Sequence, residues 1–156
     1  MLIRVLAVGT RMPPWVDAGV KDYVRRFGPE VRLRIEELVL GKRSANDDGA
    51  RAVADEGRRM LAAIEDDDYV VALEVKGKAL ATAELSRWLG ERLSDGRGVV
   101  ILIGGPDGLA DACIKRANLR LSVSALTLPH ALVRVVLVEQ LYRALSILKN
   151  HPYHRE

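Results

Sequence analysis

The 156-residue chain holds one cysteine, three histidines and seven aromatic side chains, and each scarcity excludes a class of protein. A single thiol, Cys113, builds neither a disulfide framework nor a thiolate metal site, and it suits a reducing cytoplasm. Three histidines that all follow residue 129 lack the spacing of a zinc site, so no metal is expected. Two tryptophans, four tyrosines and one phenylalanine are too few for domains that stack nucleobases across a sheet face. No apolar run approaches the roughly 18 residues that cross a bilayer, and Met1-Leu2-Ile3-Arg4 lacks the charged start and cleavage site of a signal peptide. A cytoplasmic location without membrane contact is the expectation.

What is present is ordinary in amount and uneven in arrangement. With 49% hydrophobic and 29% charged residues, the chain makes one compact domain over residues 1–156, close to the roughly 150 residues typical of a domain. Its net charge is +3, but residues 1–43 carry +4, residues 44–114 carry −6, and residues 115–156 carry +5. Two basic ends around an acidic middle suit either a surface shared for a polyanion such as nucleic acid or ordinary solubility.

Short apolar runs alternate with helical spacing along the chain. Leu2 to Val8 reads as a buried strand, and Val16, Val20, Tyr23, Val24 and Phe27 follow Pro13-Pro14 at helix spacing. Val31, Leu33 and Ile35 alternate with charged residues as in an edge strand. Asn46 or Asp47 is expected to cap a helix with Val53, Gly57, Met60, Leu61 and Ile64 inward. Tyr69 to Val75 is a third strand, and Thr82 is expected to cap a helix that buries Leu85, Trp88, Leu89 and Leu93. Val99 to Ile103 is the most apolar strand. A short helix near 108–117, a strand from Leu119 to Val123 and a long helix from Ala131 to Leu148 complete an α/β domain with a mostly parallel sheet covered on both faces. In the last helix every residue from Leu132 to Val138 except Arg134 is apolar, which asks for cover on two sides and suggests a partner subunit.

Open α/β sheets bind ligands beyond the carboxyl ends of their strands. Gly9-Thr10-Arg11-Met12-Pro13, after the first strand, has no G-x-G-x-x-G pattern, so it carries no ordinary dinucleotide fingerprint. Glycines gather after the fourth strand instead, in Ile103-Gly104-Gly105-Pro106-Asp107-Gly108, where backbone can approach a ligand or simply turn. The next loop, Ser122 to His130, is small, hydroxylated and apolar, suited to a neutral group such as adenosine or to a plain connection. The terminus, Asn150-His151-Pro152-Tyr153-His154-Arg155-Glu156, offers stacking groups, a guanidinium and proton acceptors.

Ala7-Val8-Gly9-Thr10, Gly41-Lys42-Arg43, the glycine loop, Ser124 to His130 with Leu132-Val133-Arg134, and the terminal segment together closely resemble the RlmH (YbeA-type) methyltransferases of the SPOUT superfamily. The resemblance covers nearly the whole chain. It implies an S-adenosylmethionine-dependent enzyme that methylates N3 of a pseudouridine in helix 69 of 23S ribosomal RNA in the ribosome. It also implies a homodimer with a deep C-terminal trefoil knot, an exception to the rule against threaded chains. It places Leu73, Gly104, Val123, Ser124, Ala125, Leu126, Thr127 and Leu128 around the cofactor.

Methyl transfer to a pseudouridine nitrogen needs removal of a weakly acidic proton and a positive group beside the resulting anion. Arg155 or Arg134 is expected to supply the charge, His154 or His130 to accept the proton, and Tyr153 to stack on or orient the base. Glu139 and Glu156 are weaker candidates for the base, since a carboxylate beside arginine is more often paired. Arg4, Arg11, Arg25, Arg26, Lys42 and Arg43 of one subunit are expected to form a phosphate rim around the tail of the other. A non-enzymatic ribosome- or RNA-binding factor and a flavodoxin-like small-molecule binder are the alternatives.

Overall fold

The computed structural model describes residues 1–46 and 48–155. Five strands form one all-parallel sheet in the order β2-β1-β4-β3-β5: β1 (Leu2–Val8), β2 (Arg32–Leu38), β3 (Tyr69–Ala79), β4 (Val99–Ile103) and β5 (Leu119–Ser122). The helices are α1 (Pro14–Val24), α2 (Ala50–Ala62), α3 (Thr82–Asp95), α4 (Asp111–Arg116) and α5 (His130–Leu148), and the chain closes on a 3-10 turn, Pro152–Arg155. Among the described residues no helix is long and apolar enough to cross a membrane, and no group of acidic, histidine and cysteine side chains is gathered for a metal.

Strand alternation divides the core. Ile3, Val5, Ala7, Val99, Ile101 and Ile103 face α1, α3 and α5, whereas Leu6, Val8, Val100 and Leu102 face Met60 of α2 and Cys113 of α4. Crossovers toward the β2 edge run over the α1 and α3 face, and those in the other direction over the α2 and α4 face, as one constant crossover hand requires. The central strand β4 and its neighbour β1 are the most deeply buried, and the site falls at the sheet's carboxyl edge.

Several boundaries differ from the sequence expectation, each for a local reason. Gly49, with φ of 81°, precedes α2, so Asn46 does not cap it, and Asp47 lies outside the described residues. The buried face of α2 is Ala52, Glu56, Gly57 and Met60; Val53, Leu61 and Ile64 are only half-buried. Glu56 turns the helix inward because its carboxylate accepts from Gly41 N (2.8 Å) and Arg43 Nη1 (2.9 Å). Thr82 is the first residue of α3, not its cap, and its hydroxyl bonds Gln140 Oε1 at 2.8 Å. Beyond Val75, β3 runs on to Ala79, and α4 is shorter than expected because residues 104–110 are used in a tight turn.

Candidate functional site

Three loops at the carboxyl edge of the sheet enclose a cavity of about 400 Å3. Leu73, Glu74 and Val75 enter from β3, Gly104 to Pro106 and Gly108 follow β4, and the segment after β5 supplies most of the remainder up to His130 and Val133 at the start of α5. The glycine loop is held closed by a Gly108 N to Gly105 O bond of 3.1 Å. A Cβ on Gly104 would lie 2.6 Å from Gly108 C and 2.7 Å from its oxygen, so the turn admits no larger residue without moving backbone. Ser122 Oγ donates to Ser124 O (2.9 Å) and Leu126 N donates to Ser124 Oγ (2.9 Å), which fold the third loop over the cavity.

Of the residues expected at a cofactor, Leu73, Gly104, Val123, Ser124, Leu126, Thr127 and Leu128 line this cavity, while Ala125 is exposed outside the lining. Glu74 was missed by sequence reading. Its signal is a carboxylate directly after the apolar run Tyr69 to Leu73, and its Oε2 is buried without a hydrogen-bond partner among the described residues.

The other expected residues are scattered, and several have structural duties. Arg134 is not open to substrate: its side chain is 3% exposed, and it donates to Glu37 Oε2 (2.5 Å), Gly9 O (2.8 Å) and Val8 O (3.3 Å). It ties α5 to the end of β1. Arg4 does not belong to a phosphate rim, because it bonds Ala63 O (2.7 Å) and Asp68 Oδ2 (3.1 Å) and pairs with Glu36 at 3.5 Å. Arg43 braces the loop after β2 against the glycine loop through Glu56 and Asp107 Oδ2 (2.9 Å); these partners, Glu56 first, raise its pKa. Arg11 and Lys42 are exposed after β1 and β2, and neither has an ion-pair partner among the described residues.

The terminal turn folds back on its own chain. Tyr153 packs edge-on against Tyr142 (4.8 Å between centroids), its hydroxyl donates to Glu139 Oε1 (3.2 Å), and it meets Tyr23 Oη at 3.1 Å. Burial, with Tyr23 and Glu139 adding to it, raises the Tyr153 pKa, so the phenol stays neutral. Arg26 sits 4.6 Å from the Tyr23 ring centroid and 5.7 Å from that of Tyr153, and Arg25 and Arg26 both pair with Asp22. Arg26 therefore accompanies the tail of its own subunit, contrary to the expected arrangement around the partner's, while Arg25 is exposed beside Asp22. Glu139 is also held by Arg143, which removes it as a free base. His154 is half-buried with Nδ1 unpartnered, Arg155 is exposed, and Glu156 lies outside the described residues. From Val133, the last cavity residue of α5, to the Glu139–Tyr142 stretch that seats the tail is about 9–14 Å along the helix at 1.5 Å per residue, and no described residue of the tail lines its own chain's cavity.

A parallel α/β domain whose cavity lies on the loops after β3, β4 and β5, with no glycine fingerprint after β1, differs from the dinucleotide-binding folds. The family model described as "Predicted SPOUT methyltransferase" matches residues 1–154. The chain is 52% identical over 156 residues, the full length of both, to "Ribosomal RNA large subunit methyltransferase H" of Thioalkalivibrio sulfidiphilus. It is 49% identical over 155 residues to the protein of the same description from Methylococcus capsulatus, covering 99% of this chain and 100% of that one. In fold it is similar to the crystal structure of a methylase family protein from Neisseria gonorrhoeae, with a TM-score of 0.56 at 16% identity over 90% of this chain and 81% of that one. The chain belongs to the SPOUT methyltransferase family and is a methyltransferase.

Proposed function

We propose that this chain, as a cytoplasmic homodimer, methylates N3 of a pseudouridine in helix 69 of 23S ribosomal RNA, with S-adenosylmethionine as donor. The cavity between the three post-strand loops carries the reading, in a chain whose full length matches proteins named for large-subunit ribosomal RNA methylation. Its residues fit that cofactor. The volume lies within the range of small-molecule sites, Leu73, Ile103, Leu121 and Leu128 offer apolar walls to an adenosine, and the buried Glu74 Oε2 lacks a partner that a ligand can supply. The bound cofactor supplies an electrophilic methyl group on a sulfonium.

The chain's own residues hold, orient and deprotonate. The apolar walls exclude water and the loop backbone positions the ligand. His130, at the cavity wall, and His154, whose Nδ1 is unpartnered among the described residues, are the groups for the N3 proton, and the exposed Arg155 is the cation for the anion that forms. Tyr153 and Arg134 act as positioning residues, the first for the tail and the second for the end of β1. Because no described residue of the tail lines its own chain's cavity, the working site is built from two subunits, one giving the cavity and the other the tail. The partly exposed Leu132 and Val136 of α5 and Trp15, 60% exposed, supply apolar surface for that association. The return of the chain from edge strand β5 to the glycine loop after β4 accords with a C-terminal knot. Arg11 and Lys42 of one subunit with Arg25 and Arg26 of the other form the RNA rim.

Methylation of purified ribosomes with mass mapping of the RNA tests reaction, donor and nucleotide together. Removal of Tyr153 to Glu156 is expected to abolish transfer while S-adenosylmethionine affinity stays unchanged by calorimetry. Normal turnover of the truncated chain contradicts the tail's role, and ribosome binding without transfer by the intact chain makes it a non-enzymatic factor.

A further inference from the structure

The ladder between β3 and β5 is broken beside the cavity. Leu73 and Lys78 both align with Leu121, so Glu74 to Gly77 have no partners on β5 and bulge from the sheet. Gly77 brings the strand back: a Cβ there would lie 2.8 Å from Arg120 C and from Leu121 N and C. Freed from the ladder, Glu74 lines the cavity, and it is the one acidic side chain among the described lining residues. Lys76, Lys78 and Arg120 stand nearby in sequence and register but are exposed, and no ion pair joins any of them to Glu74 among the described residues. A buried carboxylate oxygen without a partner is destabilising unless something else completes it.

We infer that Glu74 is the charge-selecting residue of the cavity, favouring a cationic donor over its neutral demethylated product. The inference rests on the S-adenosylmethionine reading above and goes beyond it by assigning cofactor discrimination to one side chain. In the transfer, N3 gives its proton to the base, the sulfur–methyl bond breaks with its electron pair remaining on sulfur, and the methyl group bonds N3. The donor's sulfonium charge is thereby lost. S-adenosylmethionine carries one net positive charge and S-adenosylhomocysteine none, so the attraction to Glu74 ends with the reaction and product release is favoured.

Calorimetry of the full chain with S-adenosylmethionine and S-adenosylhomocysteine tests this without any turnover. Glu74→Gln, which keeps the shape and removes the charge, is expected to lower the preference for S-adenosylmethionine over S-adenosylhomocysteine by about tenfold, the scale of a unit charge about 4 Å away at an effective dielectric of about 60 in this open cavity. Glu74→Ala is expected to shift the same ratio in the same direction, which serves if the glutamine variant does not fold. Equal weakening of both ligands, as from a hydrogen bond to the ribose alone, or an unchanged ratio overturns the inference. Failure of the unaltered chain to bind either ligand overturns the cofactor reading itself, and that result is distinct because it appears before any variant is made.

Discussion

Replacing Arg134 with alanine separates a catalytic role from the structural one that its surroundings define. The guanidinium, 3% exposed, donates to one carboxylate and two main-chain carbonyls at the end of β1. A hydrogen bond to a charged group contributes about 1.5–3 kcal/mol. Glu37 is 36% exposed and regains water in the variant, whereas the Val8 and Gly9 carbonyls lose their charged donor, so the net loss is about 3–4 kcal/mol. For a chain of this size each kcal/mol lowers Tm by about 2–4 °C, giving a fall of about 6–16 °C. Arg134→Lys keeps the charge but not the fork that reaches three acceptors, and is expected to recover less than half of the loss. Thermal unfolding by circular dichroism, paired with methylation measured well below both transitions, is the assay. If Arg134→Ala melts within about 1 °C of the unaltered chain yet transfers no methyl group, the structural reasoning is refuted and the guanidinium acts on substrate.

Two further predictions follow from the loop and the tail. Gly104→Ala must displace the backbone of Gly108, an overpacking of about 1–3 kcal/mol, and S-adenosylmethionine affinity is expected to fall by about tenfold in calorimetry. Gly96→Ala, at φ of 75° with open space around the added methyl, is expected to leave that affinity unaltered. For Tyr153 the folded pKa lies above the ordinary 10.0, so the folded chain holds the phenolic proton more tightly than the unfolded one. The associated stability is complete below pH 10.0 and is lost as pH rises through the folded value; alkaline unfolding of Tyr153→Phe is expected to show a shallower pH dependence, and an identical profile contradicts it.

Much of the architecture was legible because periodicity and burial share one cause. Leu2 to Val8 and Val99 to Ile103 had to be strands covered on both faces, and Val31, Leu33 and Ile35 alternating with charges had to form an edge, where β2 lies. The two loops singled out by glycine and by small hydroxylated residues do enclose the cavity, since strand ends in a parallel sheet converge on one edge. Charge was less legible. Glu56 is not among the residues expected inward on α2, and the fold brings Gly41 N and Arg43 to it; Glu74, inside the expected third strand, carries no reading of its own and lines the cavity at the bulge.

The sequence by itself determined the order of strands and helices and the loops that enclose the cavity, because these depend on local propensity and on which residues avoid water. Only the tertiary structure decided which basic side chains are free. Arg4, Arg43 and Arg134 are bonded to groups 64, 64 and 97 positions away, whereas Arg11, Lys42 and Arg155 remain at the surface. It also separated the tail from its own cavity. A charge's partner is set by where the chain returns in space, and no local pattern of residues records that return.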